Sequence, residues 1–344
     1  MTPSKLSDAS RGSRPLLAAP PPPKHPRPGR TMERGPVRTI PALVVAVGLL
    51  ASLTACAGDS GPGSSGCPPT GDAASVVTAT GSFGEKPDAD VPSPIVTTET
   101  QVSTLIEGDG ERLVDGSPVI IDYTLYDGAT GREVEDSGYD GTAANPITVG
   151  GQALAPLAAA LECSTVGSRV VVAVKASELS ASIQGSAVEP TDDPDAAYVA
   201  IVDVKQAFLP KADGRPVPGE SGLPAVVTAP SGAPGISVPD SDAPTAQETH
   251  LVREGSGHEL TADDTAVVQF TAVTWATPST VSASTWNNGD TATTVDLGDP
   301  ALPASIRDAL VGQQVGSQVM TVIPAAEAGG ADSYVYVFDV LGSL

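Results

Sequence analysis

Residues 308–324 read DALVGQQVGSQVMTVIP, and residues 159–175 read AALECSTVGSRVVVAVK. Each joins a short apolar stretch, a Val-Gly-Ser turn and a β-branched run. Leu157, Ala160 and Leu161 lie at i, i+3 and i+4, and Ile306, Ala309 and Leu310 repeat that spacing 149 residues later. Such spacing predicts a helix of about two turns with one buried face. The β-branched run after the turn predicts a strand.

Two more phrases recur. LIEGDGERLVDGSPVIIDYTLYD at 105–127 falls on LVREGSGHELTADDTAVVQFTAVTW at 251–275, with Gly108 and Gly110 on Gly255 and Gly257, an offset of 147. AAYVAIVDV at 196–204 falls on SYVYVFDV at 333–340 with an offset of 136. The changed offset lies in one loop, long and acidic at 175–196 and short at 325–333. Each copy therefore predicts a strand, a glycine turn, an alternating strand (Val119, Ile121, Tyr123), a variable loop, the helix, the Val-Gly-Ser turn, a strand, a loop and a last strand. Many strands with one short helix make an α+β domain in which an antiparallel sheet closes on the helix. A chain of 344 residues has room for two such domains.

Composition narrows the function classes. Aromatic residues make up 3% of the chain and net charge is −23. Eight of the 18 Lys and Arg precede residue 39, so the rest of the chain is more acidic still. Nucleic acid is excluded as a partner, because a phosphate backbone needs a basic footprint. The three histidines, His25, His250 and His258, are scattered, and neither CxxC nor HExxH occurs. No metal and no cofactor is expected. The acidic stretch EPTDDPDAAY at 189–198 lacks the glycine and spacing of a calcium loop and reads as a solvated loop.

The basic N-terminal segment leads into an apolar run at 40–53. This is shorter than the roughly 20 residues of a membrane-spanning helix and reads as a secretion signal. Leu53-Thr54-Ala55-Cys56 resembles a bacterial lipobox, which implies acylation of Cys56 and anchoring on the outer face of the cell membrane. Residues 1–31 fit no export signal, and translation is expected to begin at Met32. Cys67 lies in the Gly/Ser/Pro tether GDSGPGSSGCPPTGDA at 58–73, and Cys163 at an expected core position. A bridge between them is open to an exported protein, but the tether argues against it.

Taken together the phrases resemble FKBP-type peptidyl-prolyl cis-trans isomerases in a tandem bacterial lipoprotein form. The resemblance rests on residues 119–123, Asp127-Gly128, Val134-Glu135-Asp136, residues 149–161, Val166-Gly167 and Val202-Asp203-Val204 in the first copy. In the second it rests on Phe270, Leu297-Gly298, residues 302–310, Val315-Gly316, Ile323-Pro324 and Phe338-Asp339-Val340. It implies a fold of two FKBP-like domains, each an antiparallel sheet wrapped on one short helix. The boundaries it suggests are 1–55 for an extension and signal peptide, 56–74 for a tether, 75–209 for domain 1, 210–243 for a linker and 244–344 for a degenerate domain 2.

The implied activity is rotation about X–Pro amides in exported, proline-containing polypeptides, without nucleophile, base or metal. The first-copy pocket would be Tyr123, Val134, Glu135, Ala153, Leu154, Leu157 and Val202, with the backbone at 153–154 meeting the substrate carbonyl. The second would be Phe270, Leu302, Pro303, Ile306 and Phe338. Most aromatic walls of the family are replaced: Val134 and Val202 stand for phenylalanines and Leu157 for the floor tryptophan. A membrane-tethered isomerase, with domain 1 the more active, is therefore expected. The alternative is a catalytically weak or inactive binding module or holdase.

Overall fold

The computed structural model describes residues 67–140, 146–152, 154–182, 195–287 and 291–344. The signal segment, Cys56, Ala153 and most of the acidic stretch at 189–198 lie outside the described residues.

The first half opens with α1 (Asp72–Ser75) and a hairpin of β1 (Thr78–Thr80) and β2 (Asp88–Asp90). There follow β3 (Gln101–Ile106), β4 (Pro118–Asp127), β5 (Arg132–Asp136), β6 (Ile147–Thr148), α2 (Ala155–Ala160), β7 (Arg169–Lys175), α3 (Ala176–Ser182) and β8 (Ala197–Ala207). The second half holds β9 (Arg215–Pro216), β10 (Ala225–Thr228), β11 (Pro234–Ser237), β12 (Glu248–Glu254), β13 (Thr265–Thr274), β14 (Val281–Ser284) and β15 (Thr293–Asp296). It ends with α4 (Ala304–Leu310), β16 (Gln318–Ile323), α5 (Ala325–Ala328) and β17 (Tyr334–Ser343).

The sheets are antiparallel and repeat one another strand for strand. One runs β3-β7-β8-β4-β5, with β6 on β4. The other runs β12-β16-β17-β13-β14, with β15 on β13 and β9 added outside β12. Even the register repeats: Asp122 faces Asp203 across β4 and β8, and Gln269 faces Asp339 across β13 and β17.

Each sheet has elements packed on both faces, which is why β7 and β8 are buried without alternation, and β4 nearly so where alternation was expected. In the first sheet Leu157 and Leu161 of α2 pack on Val170, Val172 and Val202. Behind it Ala74, Val77, Val91 and Ile95 pack on Val171, Val199 and Ile201. In the second, Leu310 of α4 meets Val268, Val319 and Val340, while Leu223, Val226 and Ile236 lie behind Met320, Val322 and Val335. Residues 210–243, expected to link, thus hold β9 and a packed hairpin. Ile120, Phe208, Val267 and Leu341 form a further cluster that joins residues of both halves.

The repeated glycine phrases have one physical cause. The backbone at Gly108 crosses the Val166–Ser168 turn so closely that a Cβ would collide with the Val166 carbonyl, and Gly255 meets Val315 in the same way. Gly167 and Gly316 take φ of 90° and 92°, in the left-handed region that glycine enters without penalty. The serine of each turn closes the crossing: Gly108 N–H donates to Ser168 Oγ (3.1 Å) and Gly255 N–H to Ser317 Oγ (3.0 Å).

Three expectations need correction. Cys67 and Cys163 are bonded, with Cα atoms 5.9 Å apart across 96 residues of sequence. The tether is not loose here, because Pro69 O accepts from Val102 N–H and Ala73 N–H donates to Gln101 Oε1, which lays the segment along β3. Cys163 is only half-buried, just beyond α2, and not a core residue. The loop at 175–196 begins with α3, whose Ala176 and Leu179 are buried.

One buried contact differs between the halves. Arg169 and Asp203 are 1% and 0% exposed and pair at 2.6 Å. The arginine also donates to the carbonyls of Gly81, Ser82 and Glu85, so it holds the β1–β2 loop as well. At the equivalent place Gln318 Nε2 donates to Asp339 Oδ1 (2.7 Å), and Ala212 N–H donates to Asp339 Oδ2 (2.9 Å). Without a paired cation, burial raises the Asp339 carboxyl above the usual carboxylate range, although both hydrogen bonds oppose it. Arg253 and Lys211 also lower it from farther away.

The sign of the consequence follows from proton counting. Between the ordinary carboxylate value and the raised one, the folded chain holds a proton that the unfolded chain has released. Stability therefore falls as pH rises through that window. Below it both states are protonated, and above it the cost is fully present. Asp339→Asn should gain stability relative to the natural chain as pH rises across the window, measured by urea midpoints. A difference that does not vary with pH would contradict the assignment.

Candidate functional site

A short helix on a long sheet leaves part of the sheet uncovered. In the first half the uncovered part is a hollow of about 120 Å³, lined by Tyr123, Leu125, Glu135, Leu154, Leu157, Val174, Leu179, Tyr198 and Ala200. Strands β4, β7 and β8 supply the base, α2 and the residue before it one wall, and Leu179 of α3 another.

The second half has a hollow of about 390 Å³ at the matching place, lined by Ala272, Ser282, Ala283, Pro303, Ser305, Ile306, Ile323, Glu327, Ala328, Tyr334 and Tyr336. The sequence offsets and the strand register place eight of these on the first set. Leu125 corresponds to Ala272, Leu154 to Pro303 and Leu157 to Ile306, and the strand register sets Glu135, opposite Leu125, on Ala283, opposite Ala272. Val174 corresponds to Ile323, Leu179 to Ala328, Tyr198 to Tyr334 and Ala200 to Tyr336. Two hollows with matched linings are not an accident of loose packing.

The expected site residues divide. Tyr123, Glu135, Leu154 and Leu157 line the first hollow, and Pro303 and Ile306 the second. Val134 packs beside the core, and Val202 lies fully buried within it. Phe270 and Leu302 are half-buried against the second core, and Phe338 is buried in it. The sequence reading missed Tyr198 and Tyr334, although the repeat with offset 136 aligns them. It also missed Leu179 and Ala328, which sit on helices where only loops were expected.

The chemistry of the walls differs. In the first hollow Tyr123 Oη donates to Glu135 Oε1 (2.8 Å). Burial, and then this bond, push the phenol well above its ordinary range, so it stays protonated. Leu154 precedes α2 with φ 53°, left-handed and unusual for a leucine. This is the position at which the family resemblance puts a backbone N–H against a substrate carbonyl. Its counterpart is Pro303, which has no N–H, and the N–H of Leu302 donates to Asp299 O.

The second hollow is lined by two tyrosines as well, but here they belong to a row of rings. Tyr336 and Phe338 stack with centroids 5.6 Å apart and planes 4° from parallel, and Phe270 tilts against both. Tyr334 extends the row at 6.1 Å. Among the described residues no group of three or more His, Cys, Asp or Glu could hold a metal ion. Among them, too, no helix is long and apolar enough to cross a membrane.

No protein-family model matches the chain, and no curated protein sequence matches it. Solved structures similar to it include the three FKBP domains of wheat FKBP73 (15% identity, 71% of this chain and 94% of that one, TM-score 0.31). Others are a peptidyl-prolyl cis-trans isomerase from Pseudomonas syringae (14%, 33% and 77%, TM-score 0.25) and the N-terminal domain of FKBP42 from Arabidopsis thaliana (20%, 36% and 97%, TM-score 0.27).

The ring row carries a stability prediction. Tyr336→Ala removes a half-buried ring and its stacking, and should cost about 2–3 kcal/mol in urea unfolding. Tyr336→Phe keeps the ring and should stay within about 0.5 kcal/mol. Equal losses in both would place the stabilisation in the hydroxyl rather than in the stack.

Proposed function

We propose that the chain is an FKBP-type peptidyl-prolyl cis-trans isomerase, tethered to the membrane through Cys56, that assists the folding of exported proteins. One observation carries the proposal: a hollow of matched lining occurs twice, each time between the short helix and its sheet, and the first of the two is mainly apolar.

The barrier to rotation about an X–Pro amide is about 18–20 kcal/mol, because resonance holds the amide planar. Uncatalysed exchange takes tens to hundreds of seconds. Twisting breaks the resonance and reduces charge separation across C–N, so a water-poor apolar hollow favours the twisted form over the planar one. Leu157, Val174 and Ala200 would hold the proline ring, and the Leu154 N–H would fix the preceding carbonyl. None of these steps transfers a proton.

The halves are unequal in this scheme. The second hollow has no N–H at Pro303, but it is wider, and its two tyrosines stand in one row backed by Phe338. That observation favours a second reading for this half, a binding site that holds proline-rich or apolar segments without turning them over. Anchoring near the membrane would raise the local concentration of either activity beside emerging chains.

A protease-coupled assay of proline-peptide isomerisation on the full chain tests this. Acceleration should be lost in Glu135→Trp, which plugs the first hollow from an exposed strand position. It should survive Ser282→Trp, which plugs the second. No acceleration at micromolar protein would overturn the isomerase assignment. Suppressed aggregation of a model client under the same conditions would then leave the holdase.

A further inference from the structure

Strand β5 carries three carboxylates, Glu133, Glu135 and Asp136, and one lysine answers two of them. Lys86 Nζ lies 2.6 Å from Glu133 Oε1 and 2.6 Å from Asp136 Oδ2. Its ammonium is held protonated by the hydrogen bonds to Asp136 and Glu133, and the bond from Lys86 lowers the Asp136 carboxyl in turn. Both carboxylates are thus occupied outside the hollow.

Glu135 is different. It is the only charged residue in the lining of the first hollow. Its partner is the neutral hydroxyl of Tyr123, which occupies one site on one oxygen. Among the described residues no cation pairs with it. The second hollow also has one charged lining residue, again a carboxylate: Glu327 on α5. No described cation pairs with Glu327 either. The position equivalent to Glu135 there is Ala283, so the two charges enter from different elements.

An unneutralised carboxylate at the rim of a water-poor apolar wall attracts a cation held beside that wall. We infer that the first hollow selects X–Pro segments in which a lysine or arginine adjoins the proline, and that Glu135 determines this preference. Glu327 gives the second hollow a preference of the same sign. The inference rests on the reading of the hollows as proline-binding sites. It adds the chemistry of the client: basic and proline-containing, drawn to an acidic chain.

The energy of one rim ion pair is modest, about 0.2–1 kcal/mol. A preference of roughly two- to fivefold for lysine over an uncharged side chain of equal length is therefore expected at low salt. It should fade in about 1 M salt, where the Debye length falls to roughly 3 Å.

The test uses the full chain and two anilide peptides, succinyl-Ala-Xaa-Pro-Phe, with Xaa lysine or norleucine. Isomerisation and binding are both read, the latter by fluorescence titration. The norleucine peptide reports whether the hollows take proline at all, and the ratio of the two reports the charge preference. The ratio should be two to five in the Ser282→Trp chain, which leaves the first hollow open. It should fall to near one in Ser282→Trp with Glu135→Gln. Asp240→Asn, which removes a body charge lining neither hollow, should leave the ratio unchanged. A ratio near one in the open first hollow overturns the inference while the proline reading stands. An equal fall in Asp240→Asn also overturns it, because overall charge and not the rim would then be selecting. Binding with the expected ratio but without isomerisation supports the inference and leaves a holdase. Failure to bind either peptide overturns both.

Discussion

A helix of six or seven residues has to serve a sheet whose longest strands run ten or eleven. At 1.5 Å per residue such a helix is about 9–11 Å long, whereas the strands reach about 33–37 Å. The helix cannot cover the face it packs on. What it leaves open must be filled by another element or remain hollow. In both halves a hairpin and its neighbours pack on the opposite face, and a short second helix covers only one side of the remaining gap. The hollows follow from that mismatch in length, and everything inferred about function follows from the hollows.

Among the differences between the two halves, several touch a hollow or the buried polar pair behind it. Arg169 with Asp203 becomes Gln318 with Asp339, so a fully paired charge gives way to a carboxyl that burial raises above the usual carboxylate range. A buried ion pair contributes little net stability, but removing one partner alone costs about 3–5 kcal/mol. The exchange to glutamine leaves neutral donors on both Asp339 oxygens, Gln318 Nε2–H on one and Ala212 N–H on the other. At the hollow, Leu125 and Ala200 give way to Ala272 and Tyr336: space is lost at one position and gained at another, and ring surface replaces aliphatic surface. Leu154 gives way to Pro303, which exchanges a backbone donor for a residue that cannot donate. One half keeps the donor and a narrow, mainly apolar hollow, the other a wider and more polar hollow without the donor.

Much of this was legible in the sequence because it is repeated there. The Val-Gly-Ser turns and the glycines at 108 and 255 could be aligned before any contact was known, and the strands they join fall where the offsets put them. Helical spacing put Leu157 and Ile306 on the inward face of their helices, and the family resemblance put them in the site. What stayed hidden depended on tertiary partners. Cys67 looked like part of a tether because its neighbours are Gly, Ser and Pro, and only the docking of 69–73 along β3 brings it to Cys163. A bridge across so long a loop typically stabilises by about 2–4 kcal/mol. Leu179 was lost in a segment judged by its acidic end. Val202 and Phe338 were assigned to the walls by family position, whereas local packing draws them into the core.

The central claim is that these hollows receive proline-containing segments, and an amide NMR titration of the folded chain with a short proline peptide addresses it most directly. The account predicts that shifts concentrate at Tyr123, Leu154, Leu157 and Tyr198, with a second set at Ile306, Tyr334 and Tyr336. Shifts confined to other surfaces, such as the polar hollow of Asp115, Lys211 and Trp286, or no shifts at millimolar peptide, would contradict it.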